Sequence, residues 1–426
     1  MSSTSGARDQ RADTTLLDEE GSEHLAGTPV TADAPSFDRP YRYLARHGAQ
    51  TTARTLREAA SSAGSAWLSL AKRPWTAPTR TMLWASTMVD RAEPRWRLEH
   101  EIALETDFAV LRDFTRDADR GAAVVPTLVL PPQAGHSSTV ADFAPGQSQL
   151  AAIRESGLTR LYALDWRPAT SATKHVTIDD YIDVVDRSIR RMGGRANLVG
   201  DCQGGWLAAI YATLHPERVH TLTLAGAPID FHAGDSVIAA STAALAGRFG
   251  MLPYRGLVAA NGGTMSGAAV LSNFVMMQPQ VEIGRQLQLL AHIDDAQHVE
   301  RYRVFEDWFK HTQDIPGAFY LWLVENLFWR NRLVRGELTV GGRPAKLGAI
   351  SCPLFLLAGA TDHITPPAQL FAIADHVSTP AAEIVERTAA GGHLGLFTGK
   401  KALAEDWPAL MAQVFRRSVD GLSEVA

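Results

Sequence analysis

The chain has 426 residues, of which 46% are hydrophobic and 20% are charged, as in an ordinary globular protein with a large core. The formal net charge of −5 gives no general basic surface, which argues against nucleic-acid binding. Cys202 and Cys352 are too few for a disulfide framework or a cysteine-rich zinc site and fit a reducing compartment. With no long apolar run and no signal-peptide pattern, the sequence predicts a soluble cytoplasmic protein.

Residues 1–36 contain no aromatic side chain and are rich in small and charged residues, which predicts a disordered tail. Residues 37–95 are predicted to form an N-terminal helical extension. Its first helix carries apolar residues at helical spacing, and a second helix is expected over about residues 79–91. The stripe in the first helix comprises Leu56, Ala60, Ala63, Trp67 and Leu70. We expect both helices to pack on the main domain, and the alternative is a surface that faces lipid or a granule.

Strand and helix patterns alternate over residues 96–231, the predicted first part of the core. A hairpin is expected over residues 100–114, followed by buried strands at residues 124–130, 161–164, 196–199 and 219–224. A helix with a capping-box start is predicted between the second and third of these strands, beginning at Thr177. This alternation is typical of a mostly parallel, doubly wound α/β sheet.

The alternation stops at residues 232–340, where glycines, methionines and aromatic residues replace it. We interpret this region as a helical cap insertion over the carboxyl edge of the sheet, and the alternative is an ordinary second layer of helices. The sheet pattern returns over residues 341–426, the predicted second part of the core, with strands near residues 352–359 and 382–387 and a final helix over about residues 401–417.

A glycine-flanked turn at residues 199–206, with the sequence VGDCQGGW, joins a predicted buried strand to a predicted helix. Cys202 lies at its apex, where a catalytic nucleophile is exposed in the nucleophile elbow of α/β-hydrolases. Small neighbours are required because the apex residue adopts a strained backbone conformation. The alternative is a tight turn that carries a buried structural thiol.

Asp362 and His393 follow later predicted strands, so the chain order is nucleophile, acid and histidine, as in the α/β-hydrolase triad. Loops at the carboxyl ends of parallel strands converge on one crevice. His393 would accept the proton of Cys202, and Asp362 would orient the imidazole. His363 is the alternative base, although a supporting role beside the substrate suits it better.

The oxyanion donors are expected in two places. One is the backbone amide of Gln203 at the start of the helix after the elbow, and the other is the loop that begins at Gln133. His136, in the same loop, is a candidate for substrate binding, although such a histidine often only shapes its loop. Trp206 is a further candidate for contact with the substrate. Cys352 begins a buried strand and is expected to be inert.

Several spaced blocks of the chain resemble the polyhydroxyalkanoate synthases, especially the catalytic subunit of the two-subunit class. They are LYALDW, TIDDYI, LVGDCQGGW, YATLHPERVHTLTLAGAPIDF, NRLVRGELTVGGRPAKLGAISCP, AGATDHITPP and GGHLGLFTGK. The resemblance implies an α/β-hydrolase fold and a triad of Cys202, Asp362 and His393, with the cysteine acylated by (R)-3-hydroxyacyl-CoA. It implies a polyester granule surface and a second copy or a partner subunit as partners.

Intracellular polyhydroxyalkanoate depolymerases are similar in the elbow and in the block that contains His393. We therefore expect synthase-like acyl transfer first and hydrolysis of a polyester or ester by the same triad second. A non-catalytic granule-associated protein with the same fold is a third hypothesis. No metal and no cofactor other than the substrate's own CoA are expected.

Overall fold

The fold is built on a sheet that has eight strands within the part of the chain described by the computed structural model, residues 38–72 and 74–423. The strands of this sheet are β1 (Glu101–Glu105), β2 (Ala109–Asp113), β3 (Thr127–Leu130), β4 (Leu161–Trp166), β5 (Ala196–Asp201), β6 (Val219–Ala225), β11 (Leu354–Gly359) and β12 (Ile384–Ala389). The four two-residue strands are β7 (Thr264–Met265), β8 (Ile315–Pro316), β9 (Thr339–Val340) and β10 (Arg343–Pro344). The predicted tail over residues 1–36 lies outside the described residues.

The strand order is β1-β2-β4-β3-β5-β6-β11-β12. β1 pairs with β2 and β2 with β4 in antiparallel register, and all pairs from β4 through β12 are parallel. Crossovers between parallel strands need helices on the faces of the sheet, which explains why β3, β5, β6 and β11 are buried along their whole length. The sheet is that of an α/β-hydrolase fold, as the sequence predicts.

Helices cover the sheet and fill the connections. In chain order they are α1 (Asp38–Ala71), α2 (Ala77–Val89), α3 (Gln149–Glu155), α4 (Ile178–Arg191), α5 (Gln203–Leu214), α6 (Val237–Phe249), α7 (Leu252–Ala260), α8 (Gly267–Met277), α9 (Pro279–Ala291), α10 (Ala296–Phe309), α11 (Gly317–Leu323), α12 (Pro367–Phe371), α13 (His393–Thr398) and α14 (Trp407–Ser423). The capping box predicted at Thr177 is present, since its backbone amide donates to Asp180 Oδ2 at 2.7 Å.

Alternate side chains of each strand enter two separate cores. Leu198 of β5 and Leu356 of β11 pack on the side that α4 and α5 cover, whereas Val199 and Phe355 pack on the side that α3, α13 and α14 cover. This two-residue alternation explains why the central strands read as continuous apolar runs in the sequence.

The connection between β6 and β11 contains α6 through α11, so the predicted helical region is helical in the structure. Its limits at residues 232 and 340, like the other domain limits drawn from the sequence, remain a prediction. Asp314 connects several segments of this helical region. Its carboxylate accepts hydrogen bonds from Asn261, Thr264 and the amide of Gly267 at 2.8 to 3.0 Å.

The N-terminal helices α1 and α2 pack against the inserted helix α9. Ser69 Oγ of α1 donates to the carbonyl of Ala291 at 3.0 Å, and Trp84 Nε1 of α2 donates to the carbonyl of Gln286 at 3.0 Å. These two bonds place α1 and α2 against the inserted helices. The extension therefore braces the insertion.

The packed face of α1 is not the predicted one. Leu56 and Trp67 are 68% and 69% exposed, whereas the small residues Ser62 and Ala66 are buried. Position 62 lies near Gly284 of α9, so the two helices meet through small residues. The expectation that the larger apolar side chains pack inward was wrong, because a close helix contact favours the small-residue face.

The contacts of Arg80 lead to a prediction about the packing of α1 and α2. It is buried, donates to the carbonyl of Ser69 at 2.7 Å and pairs with Asp294 at 3.2 Å. Arg80→Met removes these bonds and leaves the Ser69 carbonyl without its donor, which should lower the local unfolding free energy of α1 and α2 by about 1–3 kcal/mol. Hydrogen exchange of the α1 amides measures this change. Arg57→Met, at an exposed position on α1, is the matched control. Equal exchange of the α1 amides in the two variants would contradict the role of Arg80.

Candidate active site

Cys202 lies at a strained turn between β5 and α5. Its backbone angles are φ 49° and ψ −112°, a conformation that costs a non-glycine residue about 1–3 kcal/mol. The amide of Cys202 donates to the carbonyl of Ala225 on β6 at 2.8 Å, and its carbonyl accepts from the amide of Gly205 at 3.0 Å. These two bonds hold the turn at the carboxyl edge of the sheet.

The flanking glycines are required by close backbone approach. A Cβ atom on Gly204 would lie 1.8 Å from the Leu130 carbonyl oxygen, and one on Gly205 would lie 2.3 Å from Ala227 Cβ. A Cβ atom on Gly200 would lie 2.5 Å from the Cα of Gly205. The sequence argument for small neighbours therefore has a direct steric basis at all three positions.

Asp362 and His393 are hydrogen-bonded to each other beside the elbow. His393 Nδ1 lies 2.7 Å from Asp362 Oδ2, and both residues are buried. The other carboxylate oxygen of Asp362 accepts from the backbone amides of Ile364 and Thr365, each at 2.9 Å. The turn after β11 thus fixes the carboxylate, and the carboxylate fixes the imidazole at the start of α13.

Cys202 is the third member of this group, because its side chain acts on the ionisation of His393. Burial lowers the pKa of His393, but the negative charges of Cys202 and Asp362 outweigh burial and raise that pKa to about 10. The structure therefore brings the three residues predicted as a triad into one connected arrangement.

A cavity of about 320 Å³ opens at Cys202 and His393. Its walls are mostly apolar and come from the loops of the sheet and from α8, α9 and α10. The aromatic side chains in the walls are Phe274, Phe305, Trp308, Phe309 and Phe397. This volume is near the lower end of the range for small-molecule sites, and the lining suits an acyl chain better than a polar ligand.

The oxyanion positions agree only partly with the prediction. Gln203 is the first residue of α5, so its backbone amide has no partner inside the helix and lies beside the cysteine. The side chain of Gln133 is turned away from the cavity, since its Nε2 donates to the Arg167 carbonyl and its Oε1 accepts from the Tyr181 hydroxyl. Ala134, the next residue of the same predicted loop, lines the cavity.

His136 and His363 both line the cavity. His136 stacks against both Trp308 and Phe309, with ring centroids 5.0 and 5.4 Å away. Burial lowers the pKa of His136 to about 4 against the opposing effect of the Ala134 and Phe309 carbonyls, so the ring is neutral at neutral pH. Burial also lowers the pKa of His363, which leaves His393 as the imidazolium beside the cysteine.

Trp206 does not line the cavity. It is buried on the core side of α5, where it stacks on Phe319 at 6.0 Å and contacts Trp322 at 6.3 Å. The interpretation of Trp206 as a substrate contact was wrong, because its place on the first turn of α5 directs the side chain into the core between α5 and α11.

An ion-pair cluster that the sequence did not reveal lies at one wall of the cavity. Glu306 of α10 is fully buried and pairs with Arg285 of α9 at 2.8 Å, Lys310 at 3.1 Å and Arg91 at 3.4 Å. Arg285 also lies over the ring of Phe305, with its Cζ atom 4.5 Å from the centroid. The cluster fixes the segment after α2, α9 and α10 relative to each other.

The described residues contain neither a metal-binding cluster nor a membrane-spanning helix. No group of three or more His, Cys, Asp or Glu side chains in residues 38–72 and 74–423 is arranged to hold a metal ion. Over the same residues, every helix is too short or too polar to cross a membrane.

Comparison with known proteins gives one family and several relatives. The model of the family described as Protein of unknown function (DUF3141) matches residues 107–415. The poly(3-hydroxyalkanoate) polymerase subunit PhaC of Haloferax mediterranei is 26% identical over 67% of this chain, and the match spans 58% of that protein. The subunit of the same name from Allochromatium vinosum is 27% identical over 59% of this chain and 70% of its own length.

Solved structures with a similar arrangement include a monoacylglycerol lipase from Paleococcus ferrophilus. It is 16% identical, with a TM-score of 0.40, and the match covers 69% of this chain and 97% of the lipase. A proline iminopeptidase from Mycobacterium smegmatis is 13% identical, with a TM-score of 0.41, over 76% of this chain and 100% of the peptidase.

The raised pKa of His393 generates a prediction. Because the folded value of about 10 exceeds the ordinary value of 6.5, the imidazolium stabilises the folded state at neutral pH, and this contribution is lost as the pH rises through about 10. Titration of the His393 ring by NMR should show this. Cys202→Ala should lower the pKa of His393, because the largest charge that raises it is removed. Cys352→Ala is the matched control, and an equal value in the two variants would contradict the pairing.

Proposed function

The chain belongs to the family described as Protein of unknown function (DUF3141), and from the geometry of the site and the polymerase relatives we propose that it is an acyltransferase of the polyester synthase type. Cys202 would form a thioester with (R)-3-hydroxyacyl groups delivered by CoA and pass them to a growing chain. The observation that carries the proposal is the buried hydrogen bond of 2.7 Å between His393 and Asp362, beside a strained cysteine in an apolar cavity. The names of the PhaC relatives support the same chemistry.

The first half of the proposed reaction loads the enzyme. The Cys202 thiolate attacks the thioester carbonyl of the substrate, and the carbonyl oxygen becomes an oxyanion beside the amide of Gln203 and an amide of the loop at Gln133 and Ala134. The tetrahedral intermediate collapses with cleavage of the carbon–sulfur bond to CoA. The departing CoA thiolate takes the proton of the His393 imidazolium, so CoA leaves as a thiol.

The second half transfers the acyl group. A hydroxyl of another hydroxyacyl unit gives its proton to His393 and attacks the acyl carbon on Cys202, which forms an ester and restores the thiolate and imidazolium. Exchange of one thioester for another retains acyl-transfer potential for this step. Asp362 holds the ring so that Nε2 faces the reacting atoms while Nδ1 stays bonded to the carboxylate.

Hydrolysis would use the same acyl-enzyme and finish with water, so water access decides between the two activities. The cavity walls carry aromatic side chains on α8 and α10, and the ion-pair cluster around Glu306 ties α9 and α10 together. A cavity wall that is apolar and held in place by ion pairs disfavours water and favours an acceptor hydroxyl attached to an apolar chain. This supports transfer over hydrolysis. A purely structural role would gain nothing from the strain at Cys202.

Incubation with 3-hydroxybutyryl-CoA, and separately with amorphous polyester, tests the proposal. We expect release of CoA thiol together with polymer from the first substrate. Cys202→Ala should reduce this rate at least about a thousandfold, because the nucleophile is lost, whereas Cys352→Ala should leave it unchanged. Release of free hydroxy acid from polyester without any turnover of the CoA substrate would instead identify a hydrolase.

We also propose that the N-terminal helices bind the polyester surface. Trp67 on α1, Trp75 after it and Met82 on α2 are each more than two-thirds exposed, so this extension offers three large apolar side chains for contact with an apolar surface. Trp67→Ser combined with Trp75→Ser should reduce sedimentation with polyester particles severalfold. Leu252→Ser, which replaces an equally exposed side chain on α7, is the control. Equal sedimentation of the two variants would refute the role of the tryptophans.

The word "subunit" in the relatives' names supports a partner polypeptide or a second copy for this chain as well.

A further inference from the structure

Asp201 is a buried carboxyl that the reaction above does not use. It is the last residue of β5, directly precedes Cys202 and is fully buried. Gln149, the first residue of α3, is also fully buried, and its Nε2 donates to Asp201 Oδ1 at 2.9 Å. An acid and an amide are thus paired inside the core, one residue away from the nucleophile.

Each partner in this pair has one oxygen without a hydrogen bond, Oδ2 of Asp201 and Oε1 of Gln149. An ionised carboxylate only accepts hydrogen bonds, so it leaves both atoms unsatisfied. A protonated Asp201 has a hydroxyl on Oδ2 that can donate to the amide oxygen, which closes a ring of two hydrogen bonds. A single proton therefore accounts for both orphan atoms, and buried polar atoms are rarely left unpaired.

The charge environment leads to the same protonated form. Burial raises the pKa of Asp201 to about 7, while the hydrogen bond from Gln149 and the charge of His393 lower it. Within the described residues, Gln149 and His393 are the groups that act on its ionisation, and its strand partner Ala225 carries no charge. Asp201 therefore changes its charge close to neutral pH.

The interaction with His393 works in both directions. If the imidazolium favours the Asp201 carboxylate, the carboxylate favours the imidazolium by the same free energy. His393 has to hold a proton when the acceptor hydroxyl is deprotonated, so a negative charge behind the ring stabilises that state. Asp362 supplies such a charge at its hydrogen bond to Nδ1. Asp201, when ionised, supplies a second negative charge from within the core.

We propose that Asp201 is a positioning residue that forms a closed pair with Gln149 as a neutral acid and stabilises the His393 imidazolium as a carboxylate, so that loss of its proton promotes acyl transfer. The inference rests on the proposed function, since it concerns the same triad. It assigns the residue before the nucleophile a role that depends on its ionisation.

Asp201→Asn tests the inference while preserving the pair, because the asparagine amide can donate to Gln149 Oε1 and its carbonyl can accept from Nε2. Steady-state release of CoA from 3-hydroxybutyryl-CoA is followed against pH, because every turnover after the first requires transfer of the acyl group from Cys202 to an acceptor hydroxyl. In the wild-type protein the rate should rise through a step near the Asp201 pKa of about 7. Asp201→Asn should lack this step, and the two curves should diverge about tenfold on the alkaline side. Glu155→Gln, at an exposed position on α3, is the matched control and should retain the step.

Gln149→Met provides an independent arm. It removes the hydrogen bond that lowers the pKa of Asp201, so the step should move to higher pH and remain present. A step that persists unchanged in both Asp201→Asn and Gln149→Met would overturn the inference. Failure of the proposed function would look different, because CoA release would then be absent or would survive Cys202→Ala at every pH.

Equilibrium unfolding supplies a second readout that needs no activity. A carboxyl whose pKa rises from 3.8 to about 7 on folding makes the folded state less stable as the pH rises through that interval. The wild-type protein should lose stability relative to Asp201→Asn between these two values, with no further change above about 7. Parallel stability curves for the two proteins would show that Asp201 does not titrate in the folded state and would refute the inference.

Discussion

The close backbone approach between the elbow and its neighbouring strands is the constraint on which the site depends. Gly204 lies so near the end of β3 that no side chain fits between them, and Gly205 lies equally near Ala227. This contact places the start of α5 directly over the sheet, so Cys202 has to adopt its left-handed conformation. The strain is offset by the two cores that hold β5 on both faces.

The same contact organises the charges. It brings the positive end of α5 beside the sulfur of Cys202 and sets the cysteine opposite α13, which begins at His393. In the proposed ion-pair state, the Cys202 thiolate, the His393 imidazolium and the Asp362 carboxylate alternate in sign. In a dry environment such alternation stabilises each charge by the next, which explains why His393 holds its proton although it is buried.

The sequence predicted the sheet and the convergence of Cys202, Asp362 and His393 at its carboxyl edge, because both leave local signals. Apolar runs between turn residues mark the buried strands, and the residues at strand ends share one edge of a parallel sheet. The capping box at Thr177 was predictable for the same reason, since both partners lie within one turn. What could be read from the sequence was therefore local pattern and strand order.

Features that depend on which faces meet could not be read in this way. The inward face of α1 was misassigned because hydrophobic spacing does not show that Ser62 and Ala66 allow a closer helix contact than Leu56 and Trp67. Trp206 follows the nucleophile closely in sequence, yet the turn of α5 directs it into the core. The pair of Asp201 and Gln149 spans 52 positions, and neither residue lies in a pattern that predicts the other.

The packing of the N-terminal helices on α9 and the ion pairs around Glu306 connect these local features to the cavity. The N-terminal helices contact α9 through side chain to backbone bonds, and α9 contacts α10 through the ions around Glu306. A buried carboxylate with three cationic partners resists separation, because removing any partner leaves charge without compensation in the interior. The cavity wall opposite Cys202 is therefore held by interactions that lie outside the catalytic loops. Through α9, the N-terminal helices at residues 38–89, which precede the family match at 107–415, are connected to this wall.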